Sequence, residues 1–372
     1  MALHVDLLRP LTYSVCIEVT SKCNLRCSYC HKSDEVHEAL PASNADMTDA
    51  MIDDLYRYCK AAGVKHVSLS QGGETTMYAG WYKRIAKFID DPEMACHLVS
   101  NFARLFDDGD LEALAKFSDL QVSFDSSEWE MVRRLRGRAD LRTITYNILR
   151  LRQKAREMGR APTVVVNCVL WRDNIGHVAK LAGFCRELEM DRLMLTEGMI
   201  TTEHNYKVPD TLDTLNDDEV ITLARQINAA EDALRDSATE LYLQDHLRAR
   251  VGELCGQLRA GVTPAHSAAH FHRRMNGSAC AQPWTLPFVS ADGNVLPCCQ
   301  GGRASPVGNL ATASMAAIMD SDAFRAVRAS ILERRPVVPC DGCSFAQGKD
   351  WTDFIRDIRE RQGDTCLERN GG

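Results

Sequence analysis

Residues 13–196 alternate short β-rich runs with longer helical patterns, and this repeat restricts the fold more than any other feature of the chain. The runs are YSVCIEV (13–19), KHVSLS (65–70), CHLVS (96–100), LQVSF (120–124), TVVVNCVL (163–170) and RLMLT (192–196). Between the first two, MTDAMIDDLYRYCKAAG sets Ile52, Leu55, Tyr56 and Cys59 on one helical face, with Thr48 placed to cap its start and Gly63 its end. Helical patterns recur near 80–90, 109–117, 140–158 and 175–188. Six βα units in succession predict a parallel sheet, because parallel strands need a crossover and a helix supplies it. A curved partial barrel and a doubly wound open sheet both use this repeat, and periodicity does not choose between them.

From about 205 to 265 the pattern is helical and charged without strand signals, which predicts a connector. TLPFVSADGNVLP then reads as a hairpin turned at Asp292 and Gly293. A length of 372 residues accommodates a barrel-sized domain and a smaller one, divided here as 1–204, a helical connector over 205–274, and 275–372. Hydrophobic content of 45% with 26% charged residues is that of a globular protein, and no apolar run approaches the roughly 20 residues that span a bilayer. The N-terminal stretch lacks the basic, apolar and small-residue succession of a secretory signal, so a cytoplasmic location is expected. A net charge of −7 argues against a nucleic-acid-binding face, and the basic stretch MVRRLRGRADLR (131–142) is read as a solvated helix face.

Fifteen cysteines remain to be explained, and short spacings in a reducing compartment point to metal ligation rather than disulfides. SKCNLRCSYC (21–30) spaces Cys23, Cys27 and Cys30 as CxxxCxxC, three thiols where a tetrahedral metal takes four ligands. A zinc site borrowing a ligand, reactive loop thiols, and a [4Fe–4S] cluster with one iron left open are the readings of that triplet. Cys280, Cys298, Cys340 and Cys343 form a second set, spaced C-x12-G-x4-C and then C-x2-C, which suits zinc or an iron–sulfur cluster.

The triplet after the first strand, with Tyr29 in the place of an aromatic, resembles the radical S-adenosylmethionine (SAM) superfamily. The resemblance implies that the open iron chelates the methionine moiety of SAM, and that an electron from the cluster cleaves the sulfonium to a 5′-deoxyadenosyl radical. The missing fourth ligand is then the cosubstrate. SLSQGGET (68–75) resembles the GGE motif, assigning Gly72, Gly73 and Glu74 to the methionine amino group, where glycines permit close backbone approach. Thr75 stands where the family most often has proline, and only a small change in loop stiffness is expected. VSNF (99–102) and VSFDSS (122–127) fall at the ends of the third and fourth strands, where the family binds ribose and carboxylate. Asn101, Ser123 and Asp125 are the candidates there, with Asn167 and Arg136 of LRG beside them. The resemblance covers about residues 13–200 and favours an α/β fold of the partial (β/α)6 TIM-like barrel type, followed by a small C-terminal cysteine-rich iron–sulfur domain. The second cysteine set resembles the SPASM extension in its shortened, twitch form, because SFAQGKDW after Cys343 lacks the further cysteines of the full version. Two [4Fe–4S] clusters are therefore expected, one binding SAM and one auxiliary.

The resemblance implies hydrogen abstraction from a small molecule such as a sugar or aminocyclitol, with oxidation of a carbinol favoured because the auxiliary cluster can accept the second electron. An epimerase is the first alternative, with Cys299 as the hydrogen-donating thiol. A peptide maturase is the second; many of these carry a peptide-binding domain before the triplet, whereas 22 residues precede Cys23 here. A non-enzymatic zinc scaffold is the third. Oxidation needs a general base, for which Glu18 and Glu197 are candidates. An electron donor such as flavodoxin or ferredoxin is the expected partner, with no nucleic acid and no membrane. Cys366 reads as a tail residue, and His266, His270 and His272 as a solvated linker.

Overall fold

A computed structural model describes residues 7–30, 44–198, 210–262, 280–299, 306–337, 340, 352–356, 358 and 360. The six expected strands form as β1 (Ser14–Ile17), β2 (His66–Ser68), β3 (Ala95–Ser100), β4 (Asp119–Ser123), β5 (Thr163–Leu170) and β6 (Arg192–Glu197). Each pairs in parallel with the next, in consecutive order. A doubly wound sheet reverses its strand order at a switch point, whereas consecutive order is that of a barrel wound in one direction. The winding is left open. Its far edge is β7 (Glu240–Leu243), parallel to β6.

That strand corrects the expectation of a purely helical connector. ELYL is four residues long, too short for alternation to register, and is flanked by the helices Asp217–Leu234 and Asp245–Arg259. Leu223, Ile227, Leu247 and Val251 of those helices are buried in the main core, so the segment completes the first domain rather than bridging away from it.

The helix Asp49–Ala62 is capped as its sequence predicts, with the Thr48 side chain accepting from the Met51 N–H and Gly63 left-handed at φ 69°. Its buried stripe is Ile52, Leu55, Tyr58 and Cys59, with Tyr58 in place of the expected Tyr56. Both tyrosines flank the stripe at helical spacing. Tyr58 reaches the Thr12 hydroxyl at 2.6 Å inside, and Tyr56 reaches Asp91 at 2.8 Å nearer the surface.

Period-two alternation divides the strands into two faces. Val67, Leu98, Leu120, Val122, Val164, Val166, Leu193 and Leu195 pack with the helices in one core. The opposite, inner face carries Ser68, His97, Gln121, Ser123, Asn167, Met194 and Thr196, all less buried. Near the start of the strands, His66 Nδ1 lies 2.9 Å from His97 Nε2, and the Tyr13 hydroxyl lies 3.2 Å from His66 Nε2. Burial holds His97 below the ordinary imidazole value; the Asp119 carboxylate opposes this and His66 adds to it. Because the unfolded chain then takes the proton first, this contribution to stability is full above about pH 6.5 and is lost as pH falls towards the lowered value. Burial raises the Asp119 carboxyl, which works in the opposite sense at lower pH. The urea midpoint is therefore expected to drop as pH is lowered through about 6.5, and His97→Gln to flatten that drop; identical profiles would contradict the assignment.

The C-terminal unit is joined to the barrel through the sheet. Its hairpin, β8 (Phe288–Val289) and β9 (Asn294–Leu296), turns through Asp292 and Gly293 as expected, with Gly293 at φ 83°. β8 lies parallel to β1, placing Cys16 beside Phe288, and β10 (Gly308–Asn309) completes the edge. A second core gathers Leu11, Trp284, Ile331, Phe354 and Ile358. Fully buried Arg328 donates at 3.0 Å to each of the carbonyls of Leu8, Pro283 and Met319, so backbone acceptors replace the water this cation gives up. Among the described residues no helix is long and apolar enough to cross a membrane.

Candidate functional site

The cysteine loop leaves the C-terminal end of β1 and is fastened by the loops after the next three strands. After β2, the Glu74 N–H donates to the Lys22 carbonyl at 2.8 Å. Gly73 packs so tightly there that a Cβ would stand 1.9 Å from the Thr20 carbonyl oxygen, so no other residue fits. The close approach foreseen for a ligand is thus made to the protein's own backbone. Gly72 precedes it on the same loop. Thr75 donates its hydroxyl to the Leu69 carbonyl at 2.7 Å, a tether that fixes the loop where proline is usual.

Glu74 is 3% exposed, and its carboxylate accepts from the Thr76 N–H and hydroxyl, the Ser100 hydroxyl at 2.8 Å and the Asn101 N–H at 2.8 Å. It ties the loop after β2 to the loop after β3. Asn101 carries the connection on, donating from Nδ2 to Asn24 Oδ1 at 2.9 Å and towards Cys23 Sγ at 3.7 Å.

The third fastening is ionic. Asp125, just beyond β4, holds Arg136 through Nη2 at 2.9 Å and Nε at 2.7 Å, and accepts the Tyr29 hydroxyl at 2.7 Å and the Val169 N–H at 3.0 Å. Arg136 ends the helix Trp129–Arg136, whose Leu135 carbonyl accepts the Ser28 N–H at 2.9 Å. The basic stretch therefore divides: Arg133 and Arg134 are exposed, while Arg136 turns inward and corrects the reading of the whole run as solvated. The Tyr29 ring stacks on Trp171 with centroids 5.2 Å apart. Trp171 follows β5 directly and is 2% exposed; nothing in the sequence marks it, since a tryptophan after a strand is ordinary core material.

Cys23, Cys27 and Cys30 are all partly buried and close enough to influence one another. Burial, more than any neighbour, pushes the Cys27 thiol up to about 12, with Arg136 opposing and Cys30, Asp125 and Cys23 adding. Burial also raises Cys23, opposed by the Leu25 N–H and reinforced by Glu74 and Cys30. Three adjacent thiolates require a strong positive charge, which a bound metal centre provides. Among the described residues no three Cys, His, Asp or Glu side chains converge on a single-ion site. In an iron–sulfur cluster each thiolate takes a different iron, an arrangement that three cysteines of one short loop can serve.

Ser123 and Asn167 are register partners on the inner face, and Asn167 Oδ1 accepts the Thr196 hydroxyl at 3.3 Å. Both candidate bases have protein partners. Glu18 accepts the Ala291 N–H at 3.1 Å and so caps the hairpin, and Glu197 is ion-paired with Arg250, which also holds Asp213 at 2.8 Å. Cys299 lies at the same mouth: its carbonyl accepts from Gln71 Nε2 at 3.2 Å, and its thiol adds to the burial that raises Cys16. Cys298 is buried beyond β9, Cys280 precedes the helix Gln282–Thr285, and Cys340 packs on the second core. Cys343, Cys366, His266, His270 and His272 lie outside the described residues.

The Radical SAM superfamily profile matches residues 17–185, and that of an iron–sulfur cluster-binding domain, SPASM, matches residues 280–344. GTP 3′,8-cyclase of Rhodococcus opacus is 26% identical over 191 residues, 51% of this chain and 52% of that protein. The chain spans about half the length of such relatives. Streptococcus suis SuiB bound to S-adenosylmethionine superposes with a TM-score of 0.62 at 17% identity, covering 93% of this chain and 74% of SuiB. The enzyme anSMEcpe with bound AdoMet gives 0.59 at 16% identity, covering 96% and 94%. At these identities the likeness is one of fold. With the triplet fastened at the barrel mouth and both profiles matched in order along the sequence, the chain carries a radical SAM domain over residues 17–185 and a SPASM domain over residues 280–344.

Proposed function

We propose that this protein cleaves SAM reductively and removes a hydrogen atom from a substrate held against the inner face of the barrel. Convergence of the loops after β2, β3 and β4 on the cysteine loop is the observation that supports this most. A [4Fe–4S] cluster on Cys23, Cys27 and Cys30 would supply the electron and the open iron for SAM. The chain's own part is placement: the Gly72–Gly73 backbone, Asn101, Ser123 and Arg136 surround the mouth, and a substrate set in register gains rate through proximity. A second cluster is assigned to Cys280, Cys298, Cys340 and Cys343, and an electron donor such as flavodoxin or ferredoxin to the supply of electrons.

The substrate proposed is a neutral, hydroxyl-bearing small molecule, oxidised at a carbinol. Ser68, Gln121, Ser123, Asn167 and Thr196 give the inner face uncharged donors and acceptors. A nucleoside triphosphate, suggested by the name of the Rhodococcus relative, calls for several cations. Among the described inner-face strand residues the cation is Arg192, already paired with Glu240 at 2.7 Å. A peptide is the second reading, favoured by the structure of SuiB bound to its precursor peptide SuiA.

Turnover in D2O separates oxidation from epimerisation. An oxidase leaves the product without solvent deuterium at the reacting carbon, in wild type and in Cys299→Ala alike. Deuterium incorporated by wild type and lost in Cys299→Ala would overturn the oxidase reading and identify that thiol as a hydrogen donor.

A further inference from the structure

Five arginines crowd residues 131–142 of a chain whose net charge is −7, and the structure sorts them. Arg136 is held inside by Asp125, Arg134 pairs with Asp173 at 2.8 Å, and Arg142 pairs with Asp140 at 2.9 Å. Arg133 and Arg138 are exposed, and among the described residues neither is ion-paired with a carboxylate. The Arg133 guanidinium lies 4.7 Å from the ring centroid of Trp129, an indole that is itself 47% exposed. An exposed tryptophan roofed by a cation, with a second cation close by, is a local reversal of the protein's overall charge.

Two contacts fix this surface beside the cysteine loop. The Leu135 carbonyl accepts the Ser28 N–H at 2.9 Å. Gly137, at φ 61°, lies so close to Arg26 that a Cβ there would stand 2.5 Å from the Arg26 carbonyl oxygen. Arg26 is exposed and immediately precedes Cys27, so the loop reaches the surface at this point. Arg138 directly follows Gly137, and Arg133 precedes it by about one helical turn. The cysteine loop therefore surfaces beside a cationic rim. That rim belongs to the crossover between β4 and β5, on the outer side of the sheet, whereas SAM and substrate are assigned to the mouth and inner face.

We infer that Trp129, Arg133 and Arg138 form the docking surface for a small acidic electron-transfer protein that reduces the triplet cluster. This rests on the SAM-cleaving reading above. In the encounter the carrier is oxidised by one electron and the cluster is reduced by one, and no atom is transferred. Opposite charge steers such an encounter and sets its orientation, and an exposed tryptophan beside an arginine is a side-chain pair enriched where proteins meet.

The test reads docking and reduction separately. Arg133→Glu with Arg138→Glu reverses the two cations. Arg156→Glu with Arg160→Glu makes the same change in net charge where the helix Leu141–Glu157 ends and the chain turns back into β5, at the far end of the barrel. Reconstituted, oxidised proteins matched by iron content are titrated calorimetrically with an acidic flavodoxin and with an acidic ferredoxin. The carrier that binds wild type is expected to bind the first variant about ten-fold more weakly and the second unchanged, with the gap narrowing as salt is raised to about 0.15 M. Release of 5′-deoxyadenosine driven by that reduced carrier should fall in the first variant, while release driven by dithionite, which needs no docking surface, stays at the wild-type level. Equal affinities of wild type and first variant would overturn the assignment, as would an equal loss in the second variant or binding of neither carrier to wild type. A single-stranded DNA oligonucleotide bound by wild type more tightly than either carrier would also overturn it, marking a face for polyanions. Wild-type protein that released no 5′-deoxyadenosine with dithionite would overturn the SAM-cleaving reading and this assignment with it, whatever the titrations showed.

Discussion

Cys27→Ala is expected to abolish release of 5′-deoxyadenosine and methionine from SAM by the reduced protein. Burial pushes the middle thiol up to about 12, with both flanking cysteines adding, and it lies within reach of Arg136. Removing it leaves two cysteine ligands for a group that takes three. The loss should be all-or-none, below detection rather than a fraction of wild type. Replacing Cys23, Cys27 and Cys30 together should lower the iron and sulfide content while leaving the share bound by the C-terminal cysteines. Zinc instead of iron in that remaining share would overturn the auxiliary assignment and leave the triplet untouched. Undiminished SAM cleavage by the triple variant would defeat the reading of the triplet.

Asp125→Ala is expected to cost about 3–5 kcal/mol of stability, the range for breaking a buried pair and stranding its cation. The side chains of Asp125 and Arg136 are 0% and 7% exposed, so water does not replace the lost partner. The same carboxylate also receives the Tyr29 hydroxyl and the Val169 N–H, so one substitution releases the cysteine loop, the helix Trp129–Arg136 and the end of β5 together. Urea unfolding of the apo-protein measures the cost; a change under about 1 kcal/mol would contradict the role. A paired Asp125→Leu and Arg136→Met replacement should regain most of the stability, because an apolar pair of similar volume avoids the stranded charge. It should still load the triplet cluster poorly, since Tyr29 loses its anchor. Recovery of both stability and loading would reduce the ion pair to a packing role.

Much of the architecture was legible because it is written locally. TVVVNCVL is a strand by β-branching alone, Thr48 and Gly63 bracket a helix by capping chemistry, and Asp292 and Gly293 announce a turn. β7 was not legible, because four residues of ELYL acquire strand geometry only through the edge that β6 offers. The motif residues were found by spacing, but their work depends on distant partners. Gly73 is required by the Thr20 carbonyl, and Glu74 is occupied by the loop after β3 rather than left open. Glu18 meets Ala291 across 273 residues of sequence, and Glu197 meets Arg250 across 53, so neither pairing can be read from its neighbours. Trp171 is the clearest case: only the tertiary arrangement reveals that its ring stacks on Tyr29.

The central claim is that the triplet holds a cluster with one iron open to SAM. Electron paramagnetic resonance of the anaerobically reconstituted, reduced protein, recorded with and without SAM, tests it most directly. The account predicts a reduced-cluster signal that changes shape when SAM is added in wild type, and the absence of that SAM-responsive signal in the Cys23, Cys27 and Cys30 triple alanine variant. A wild-type spectrum indifferent to SAM, or a response that survives in the triple variant, would contradict it.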